Sequence, residues 1–230
     1  MKTIRMIIAG LVAAASLTSC VFIGTGGGKT VNCKGPVQEK SLDLKDFDRI
    51  VVNGHADIVV SQRESFSVQV RANEEVFDYL DYHVENGSLI LETKDHVNLR
   101  AETFDVTVTL SILKDISFQG AGDLDLKGGY YADEPLAMTV NGAGDMELRD
   151  IQVPSLSITI NGAGDIEAKD IDVDELAVSV NGAGDVEVSG KAGKARFSVA
   201  GAGDIDALGL DVQDVETHKT GIASIKLKKR

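Results

Sequence analysis

Apolar and polar residues alternate through most of the chain beyond residue 40, and the phase of this alternation repeats. Because successive side chains of a β-strand point to opposite sides, the alternation predicts strands with one apolar face. The same order recurs in three consecutive units, at Leu136, Met138, Val140, Met146 and Leu148, at Leu156, Ile158, Ile160, Ile166 and Ala168, and at Leu176, Val178, Val180, Val186 and Val188. Equivalent apolar residues of successive units are therefore expected to stack on one another.

A glycine-rich phrase, Gly-Ala-Gly-Asp, interrupts each unit and occurs five times. The copies begin at Gly120, Gly142, Gly162, Gly182 and Gly201, so they are 22, 20, 20 and 19 residues apart. This period is typical of one coil of a solenoid, and stacked coils bury a core that a single coil cannot. We predict an all-β solenoid of parallel, in-register coils, with repeats over 120–206 and a final degenerate coil over 217–228, where serine replaces the aspartate.

The first half of the chain carries a less regular β pattern. Between residues 41 and 113, short β-branched runs are separated by Asn-Gly pairs or charged residues, which predicts further strands. Residues 53–57, Asn-Gly-His-Ala-Asp, resemble a decayed copy of the repeated phrase. The stretch 73–80 predicts one short helix with Asn73 as its N-cap. This divergent half is expected to form the first coils and the cap of the solenoid.

The N-terminus has the features of a lipoprotein signal peptide over residues 1–19. Lys2 and Arg5 precede an apolar run of about 10 residues, too short for the roughly 20 residues that cross a bilayer as a helix. The sequence 17–20, Leu-Thr-Ser-Cys, resembles a bacterial lipobox, which implies that Cys20 is the lipid attachment site and the mature N-terminus. An ordinary secretory signal cleaved nearby is the alternative. Acyl chains would tether the protein to a membrane without spanning it.

Composition and charge limit the domain organisation and the partners. Residues 20–39 hold the acylated cysteine and a glycine-rich stretch that predicts a flexible linker, and residues 40–230 are predicted to form one β-helix domain. After Cys20 only Cys33 remains, so it is a free thiol or an intermolecular link. The formal net charge of −13 disfavours nucleic acid as a partner.

Stacking of the coils would align the aspartates of the repeated phrase in a row. These residues are Asp123, Asp145, Asp165, Asp185 and Asp204. Carboxylates about 4.8 Å apart repel one another, so something must offset their charge. In the favoured interpretation each carboxylate accepts the N–H groups of its own glycine turn. The alternative is a row of cation sites, since aspartate and carbonyl oxygens suit calcium.

A second acidic row is predicted two residues further on, and basic residues follow it on the same face. The acidic residues are Asp125, Glu147, Glu167, Glu187 and Asp206, and the basic ones are Lys127, Arg149 and Lys169. These two rows are expected to pair across the surface. Exposed ion pairs contribute only about 0 to 1 kcal/mol each, so we expect them to fix register rather than to stabilise the fold strongly.

The sequence carries no catalytic constellation and predicts no cofactor. Histidines 55, 83, 96 and 218 are scattered, without metal-ligand spacing and without a nucleophile elbow. The short, nearly identical coils leave no long loop from which a cleft could be built. We therefore expect a protein that is not an enzyme.

The lipobox, the glycine linker, the divergent β-rich half and the serial Asn-Gly-Ala-Gly-Asp phrases together resemble the head GIN domain family. Members of this family are described as putative auto-transporter adhesins of Gram-negative envelopes, and the resemblance covers roughly residues 40–227. It implies a right-handed parallel β-helix and brings no catalytic residues with it.

These observations lead to one expectation and two alternatives. The expected protein is a lipid-anchored, non-catalytic solenoid that binds or scaffolds a glycan or an envelope protein on a flat face with Thr139, Ser157, Thr159 and Ser179. We expect an outer-membrane lipoprotein held to the membrane by its N-terminal lipid and facing the periplasm, with exposure on the cell surface as the alternative. The alternatives are a β-helix enzyme acting on polysaccharides and a calcium-binding solenoid.

Overall fold

The computed structural model describes residues 29–94 and 97–228, and the protein is all-β over these residues. The predicted signal peptide (1–19) and Cys20 lie outside this part. The strands are β1 (Lys29–Cys33), β2 (Val37–Leu42), β3 (Arg49–His55), β4 (Asp57–Gln62), β5 (Ser67–Asn73), β6 (Leu80–Glu85), β7 (Ser88–Thr93), β8 (Val97–Ala101), β9 (Phe104–Leu110), β10 (Asp115–Ala121), β11 (Leu124–Lys127), β12 (Tyr130–Tyr131), β13 (Leu136–Ala143), β14 (Met146–Ala163), β15 (Ile166–Ala183) and β16 (Val186–Leu227).

The repeat region pairs in parallel and in register, as the repeat predicts. β10 pairs with β13, β13 with β14, β14 with β15 and β15 with β16, all in parallel. Gly142 lies opposite Gly162, and Gly162 lies opposite Gly182. The decayed phrase in the first half joins the same stack, because β3 pairs in parallel with β10 and places Gly54 opposite Gly120. Side chains about 20 positions apart are therefore neighbours.

The inward-pointing residues of these coils form one continuous apolar core. Val178, Val180 and Val186 are each 1–2% exposed, and the equivalent residues of the preceding coils are buried in the same way. The period-two alternation therefore predicts correctly which side of each strand is buried. No helix among the described residues is both long enough and apolar enough to cross a membrane.

Glycine is required at the corners because consecutive coils approach each other closely there. A Cβ atom built on Gly162 would lie 1.9 Å from the carbonyl oxygen of Gly142 in the preceding coil. The φ angle of Gly162 is also positive, at 151°, a conformation that L side chains rarely adopt. The repeated phrase thus reflects both backbone conformation and the contact between coils.

The sheet as a whole is mixed and curled, so the prediction of uniform parallel coils over 40–230 needs correction. β2 pairs antiparallel with β5, β5 with β9, and β6 with β7. The β6–β7 hairpin has a two-residue turn at Asn86-Gly87, with φ angles of 50° and 76°. Positive φ at both positions is the requirement of a tight type I′ turn, which reverses the chain. These antiparallel strands cover the N-terminal end of the parallel stack.

The folded part begins earlier in the chain than predicted. β1 lies inside the stretch 20–39 that the sequence predicts as a linker, and β2 begins inside it. β1 pairs in parallel with β8, and β2 pairs with β5. Cys33, at the end of β1, is completely buried and is a free cysteine. Its burial raises the pKa of the thiol. The predicted linker therefore does not include residues 29–33, which form a paired strand.

The predicted short helix over 73–80 is a 3₁₀ helix at Glu74–Asp78, and Asn73 occupies its N-cap position as predicted, although the Asn73 side chain does not cap it. The Asn73 side chain is 3% exposed and makes no capping hydrogen bond. Its Oδ1 accepts the N–H groups of Glu102 and Thr103, both at 3.0 Å, and its Nδ2 donates to the Gly35 carbonyl at 2.8 Å. The Asn73 side chain therefore joins the segment at Gly35 to the segment at Glu102 and Thr103.

Candidate functional site

The aspartates of the repeated phrase form a row of hydrogen bonds that runs from coil to coil. Each carboxylate accepts the backbone N–H of the equivalent residue in the next coil, so the prediction that it accepts from its own turn is wrong. The donor and acceptor pairs are Asp123 to Asp57 (3.1 Å), Asp145 to Asp123 (3.1 Å), Asp165 to Asp145 (2.9 Å), Asp185 to Asp165 (2.8 Å), Asp204 to Asp185 (2.8 Å) and Ser224 to Asp204 (3.1 Å). We call these residues the aspartate ladder. Its hydrogen bonds help to offset the repulsion between the aligned charges.

The aspartate ladder and the second acidic row line one open groove of about 1010 Å³. Within residues 29–94 and 97–228, the ladder carboxylates do not form a group of three or more whose ligand oxygens lie within 4.8 Å of one another. One oxygen of each is already engaged with a backbone N–H, as described above. Cation binding by Asp123, Asp145, Asp165, Asp185 and Asp204 stays a prediction from the sequence.

Basic residues pair with the second acidic row, as predicted. Arg149 Nη2 lies 2.7 Å from Glu167 Oε1, and Lys169 Nζ lies 2.8 Å from the same oxygen and 3.5 Å from Glu187. The hydrogen bond from Lys169 lowers the pKa of the Glu167 carboxyl, and the pKa of Lys169 is raised in return. These bridges join neighbouring coils and neutralise part of the groove.

A different side of the stack presents two rows of hydroxyl and amide side chains on β10, β13, β14, β15 and β16. The register aligns the partly exposed hydroxyl residues Ser117, Thr139, Thr159, Ser179 and Ser198 in one row. A second row, two residues further along each strand, contains Gln119, Asn141, Asn161 and Asn181. We call these nine residues the hydroxyl–amide face. Of the residues predicted for a binding face, Thr139, Thr159 and Ser179 lie in it, and Ser157 lies beside it, opposite Ala137 and Ala177.

Hydrogen bonds between the asparagines orient their amide groups. Asn161 Nδ2 donates to Asn141 Oδ1 at 2.8 Å, and Asn181 Nδ2 donates to Asn161 Oδ1 at 2.9 Å. An amide group has two N–H donors and two acceptor lone pairs, so each asparagine keeps hydrogen-bonding capacity for water or a ligand. The sequence analysis missed this row, although an asparagine precedes three of the five Gly-Ala-Gly-Asp copies.

One histidine lies in a cluster of metal-ligand type, contrary to the sequence expectation for all four. Asp81, His83 and Glu92 place one ligand atom each within 4.8 Å of one another. Asp81 and His83 are on β6, and Glu92 lies directly opposite Asp81 on β7. The antiparallel hairpin brings them together, and the spacing Asp81-x-His83 on one side of a strand is the signal that could have indicated this. His96 lies outside the described residues.

Sequence comparison gives one family match and no match among curated proteins. The family model described as "Putative auto-transporter adhesin, head GIN domain" matches residues 46–230. No curated protein matches this sequence. The matched stretch includes the aspartate ladder and the hydroxyl–amide face.

Three solved structures with a similar fold come from Parabacteroides species. One is a putative lipid binding protein from Parabacteroides distasonis, with a TM-score of 0.76, 23% identity, and coverage of 88% of this chain and 98% of that chain. A putative adhesin from Parabacteroides merdae has a TM-score of 0.77, 23% identity, and coverage of 86% and 83%. A putative adhesin from Parabacteroides distasonis has a TM-score of 0.78, 20% identity, and coverage of 86% and 84%. At these identities the likeness establishes the fold alone.

Proposed function

The chain belongs to the family described as putative auto-transporter adhesin, head GIN domain, and from this premise we propose a non-catalytic, adhesin-like protein of the cell envelope that binds a glycan. The ligand contacts the hydroxyl–amide face. One observation carries the proposal. On a chain with a formal net charge of −13, this face consists of nine aligned side chains, none of which ionises.

The chemistry of this face suits sugar hydroxyl groups. Serine and threonine hydroxyls and asparagine amides each offer both donors and acceptors, and so do the hydroxyls of a glycan. The in-register strands repeat these groups at the spacing between strands, about 4.8 Å. A ligand with a repeating structure can therefore make the same contact on several coils, and many weak contacts add through multivalency.

The winding of the domain is also part of the proposal. We place the repeats in a right-handed parallel β-helix, because connections between parallel strands of one sheet are right-handed in about 98% of cases. The parallel, in-register pairing of β13, β14, β15 and β16 supports this winding. The antiparallel strands at the N-terminal end act as the terminal cap that a solenoid needs.

The anchoring is proposed from the sequence. Leu-Thr-Ser-Cys at 17–20 supports acylation of Cys20 and an outer-membrane lipoprotein that faces the periplasm. Metabolic labelling of cells with a radioactive fatty acid tests the first step. The wild-type chain should carry label and Cys20→Ser should not, whereas label on both chains or on neither would contradict the anchor.

The binding proposal is tested on a glycan array with two matched variants. Thr159→Glu puts a charge in the centre of the hydroxyl–amide face. Thr107→Glu makes the same change outside this face, at a half-buried threonine of β9. Thr107 lies opposite Val59, and Val59 lies opposite Asp125 of the second acidic row. We expect the wild type and Thr107→Glu to bind the same glycan, and Thr159→Glu to bind it roughly tenfold more weakly, a loss of about 1.4 kcal/mol.

Two results would contradict the proposal. If the wild type binds no glycan, and crosslinking in intact cells attaches only a protein to this face, the ligand class is wrong. If Thr159→Glu binds a glycan as tightly as the wild type, the hydroxyl–amide face is not the binding surface. The rival β-helix enzyme acting on polysaccharides predicts that the bound glycan is shortened, which size-exclusion chromatography would detect.

A further inference from the structure

The β6–β7 hairpin carries a cluster of three side chains with the chemistry of metal ligands. Among the described residues it is the one group of three or more His, Cys, Asp or Glu whose ligand atoms lie within 4.8 Å of one another. Its members are Asp81, His83 and Glu92. The Asp81 and His83 side chains are 57% and 42% exposed, so an ion can reach the cluster from solvent.

The register of the hairpin places two carboxylates opposite each other, so that they repel. Asp81 and Glu92 are directly opposite each other in the antiparallel pair, and like charges in such positions destabilise a sheet. His83 Nδ1 lies 3.5 Å from Asp81 Oδ1 and offsets the charge only when the imidazole is protonated. A cation held between the two carboxylates would relieve the repulsion and leave the imidazole neutral.

A residue outside the cluster fixes the orientation of one ligand. Asn53, on β3, lies opposite Glu92 and donates from Nδ2 to Glu92 Oε2 at 3.1 Å. Hydrogen bonds of this kind orient the carboxylates that bind metals and strengthen binding. The Glu92 carboxylate is therefore held in place at one oxygen while its other oxygen remains available.

We propose that Asp81, His83 and Glu92 bind one divalent transition-metal ion, with Zn²⁺ as the best fit. Imidazole nitrogen and carboxylate oxygen are established ligands of Zn²⁺, and three protein ligands leave a position open for water or another molecule. Ca²⁺ takes oxygen ligands, usually six to eight of them, so a cluster with one nitrogen and two carboxylates disfavours it. The net charge of −13 raises the local concentration of cations.

The site is independent of glycan binding, although it lies at the end of the same side of the stack. Asn53 and Gln119 are opposite each other, so the amide row of the hydroxyl–amide face continues through Asn53 to Glu92 and Asp81. The metal-binding proposal therefore does not depend on any result for glycans.

Isothermal titration calorimetry with ZnCl₂ tests the site. The full chain is used without an affinity tag, because oligohistidine binds Zn²⁺. We expect one Zn²⁺ per chain, at least tenfold weaker binding in His83→Ala, and weaker binding in Glu92→Gln. His218→Ala is the matched control, since His218 is an exposed strand histidine outside the cluster. CaCl₂ in tenfold excess should leave the Zn²⁺ titration unchanged.

Zn²⁺ binding is compared only between variants that are folded. Thermal melts without metal establish that each variant is folded, and Asp81→Asn provides a second ligand variant that preserves the shape of the side chain. Absence of Zn²⁺ binding by the folded wild type overturns the proposal. So does binding that survives in both His83→Ala and Asp81→Asn, or binding that His218→Ala reduces as much as His83→Ala does.

Discussion

The carboxylate of Asp165 accepts a hydrogen bond from the backbone N–H of Asp185 at 2.8 Å, one coil further along the stack. The two residues occupy the same position in consecutive repeats, so each aspartate is both an acceptor and, through its main chain, a donor. The ladder therefore fixes the distance and register between coils at the corner. We expect its role in the fold to depend on the side-chain oxygen rather than on the negative charge.

Removing that oxygen should destabilise the stack, whereas removing only the charge should not. We expect Asp165→Ala to lower the free energy of unfolding by about 1 kcal/mol, since a hydrogen bond to an exposed backbone group is lost. Asp165→Asn keeps an oxygen acceptor and reduces the repulsion along the row, so its stability should equal or exceed that of the wild type. Urea unfolding at constant m-value measures both changes.

The control for this prediction is an exposed acidic residue outside the ladder. Asp172 lies opposite Gln152 on β14, and Asp172→Ala should change the stability by less than about 0.5 kcal/mol. Equal losses in Asp165→Ala and Asp165→Asn would instead assign the stabilisation to the charge of the carboxylate.

Gly162 should tolerate alanine far less well than Gly54 does, although both occupy the same position of the repeat. Both φ angles are positive, at 151° and 138°, so alanine is strained at either site. A Cβ at Gly162 would lie 1.9 Å from the backbone oxygen of Gly142, whereas at Gly54 it would meet only the Thr93 side chain, at 4.0 Å. The contact between coils therefore distinguishes the two positions.

We expect Gly54→Ala to cost about 1–3 kcal/mol, the penalty of the backbone conformation alone. Gly162→Ala should cost more than about 4 kcal/mol or prevent folding, because two backbones must move apart. Chemical unfolding of both variants, with expression in soluble form as a first readout, measures the difference. Similar stabilities would mean that the glycine is needed only for its φ angle.

The regular half of the fold follows from local signals in the sequence, and the cap does not. The alternation around Ile160 and Val180 and the glycine corners determine which residues face inward and which coils stack. The antiparallel pairing of β6 with β7 depends on the turn at Asn86-Gly87, whereas Asn-Gly pairs in the sequence predict only a break between strands. Equivalent residues of successive repeats have equivalent neighbours, whereas each residue of the antiparallel N-terminal strands has neighbours of its own.

The candidate sites were predictable to the extent that they lie within the repeat. Thr159 and Ser179 are found on an exposed face as predicted, because the register between coils follows from the period. The proximity of His83 to Glu92 arises from the register of one hairpin, and the hydrogen bonds of Asn73 join segments about 30 to 40 positions apart. Periodicity contains no information about such single contacts.

The last prediction concerns the ion pair between Asp48 and Lys114 beside the first coil, whose atoms Oδ2 and Nζ are 2.9 Å apart. The hydrogen bond from Lys114 lowers the pKa of the Asp48 carboxyl, and the same bond raises the pKa of the ammonium group. Folding therefore favours the deprotonated carboxyl and the protonated amine. The contribution of the pair to stability is fully present between the two unfolded pKa values, about 3.9 and about 10.4.

Replacing Asp48 with asparagine should remove this dependence on pH. As the pH falls below about 3.9 through the lowered pKa of folded Asp48, the wild type should lose the stability that the pair provides, and its curve should approach that of Asp48→Asn. The curves should also converge when the pH rises above about 10.4 through the raised pKa of folded Lys114. Urea unfolding across the pH range gives both curves. Asp43→Asn is the control, because its ion pair with Lys45 has side chains that are 91% and 60% exposed and should show a smaller difference. Parallel curves for the wild type and Asp48→Asn would contradict the assignment. An ion pair that stabilises the fold changes the number of protons bound or released on unfolding, and therefore changes how the free energy of unfolding depends on pH.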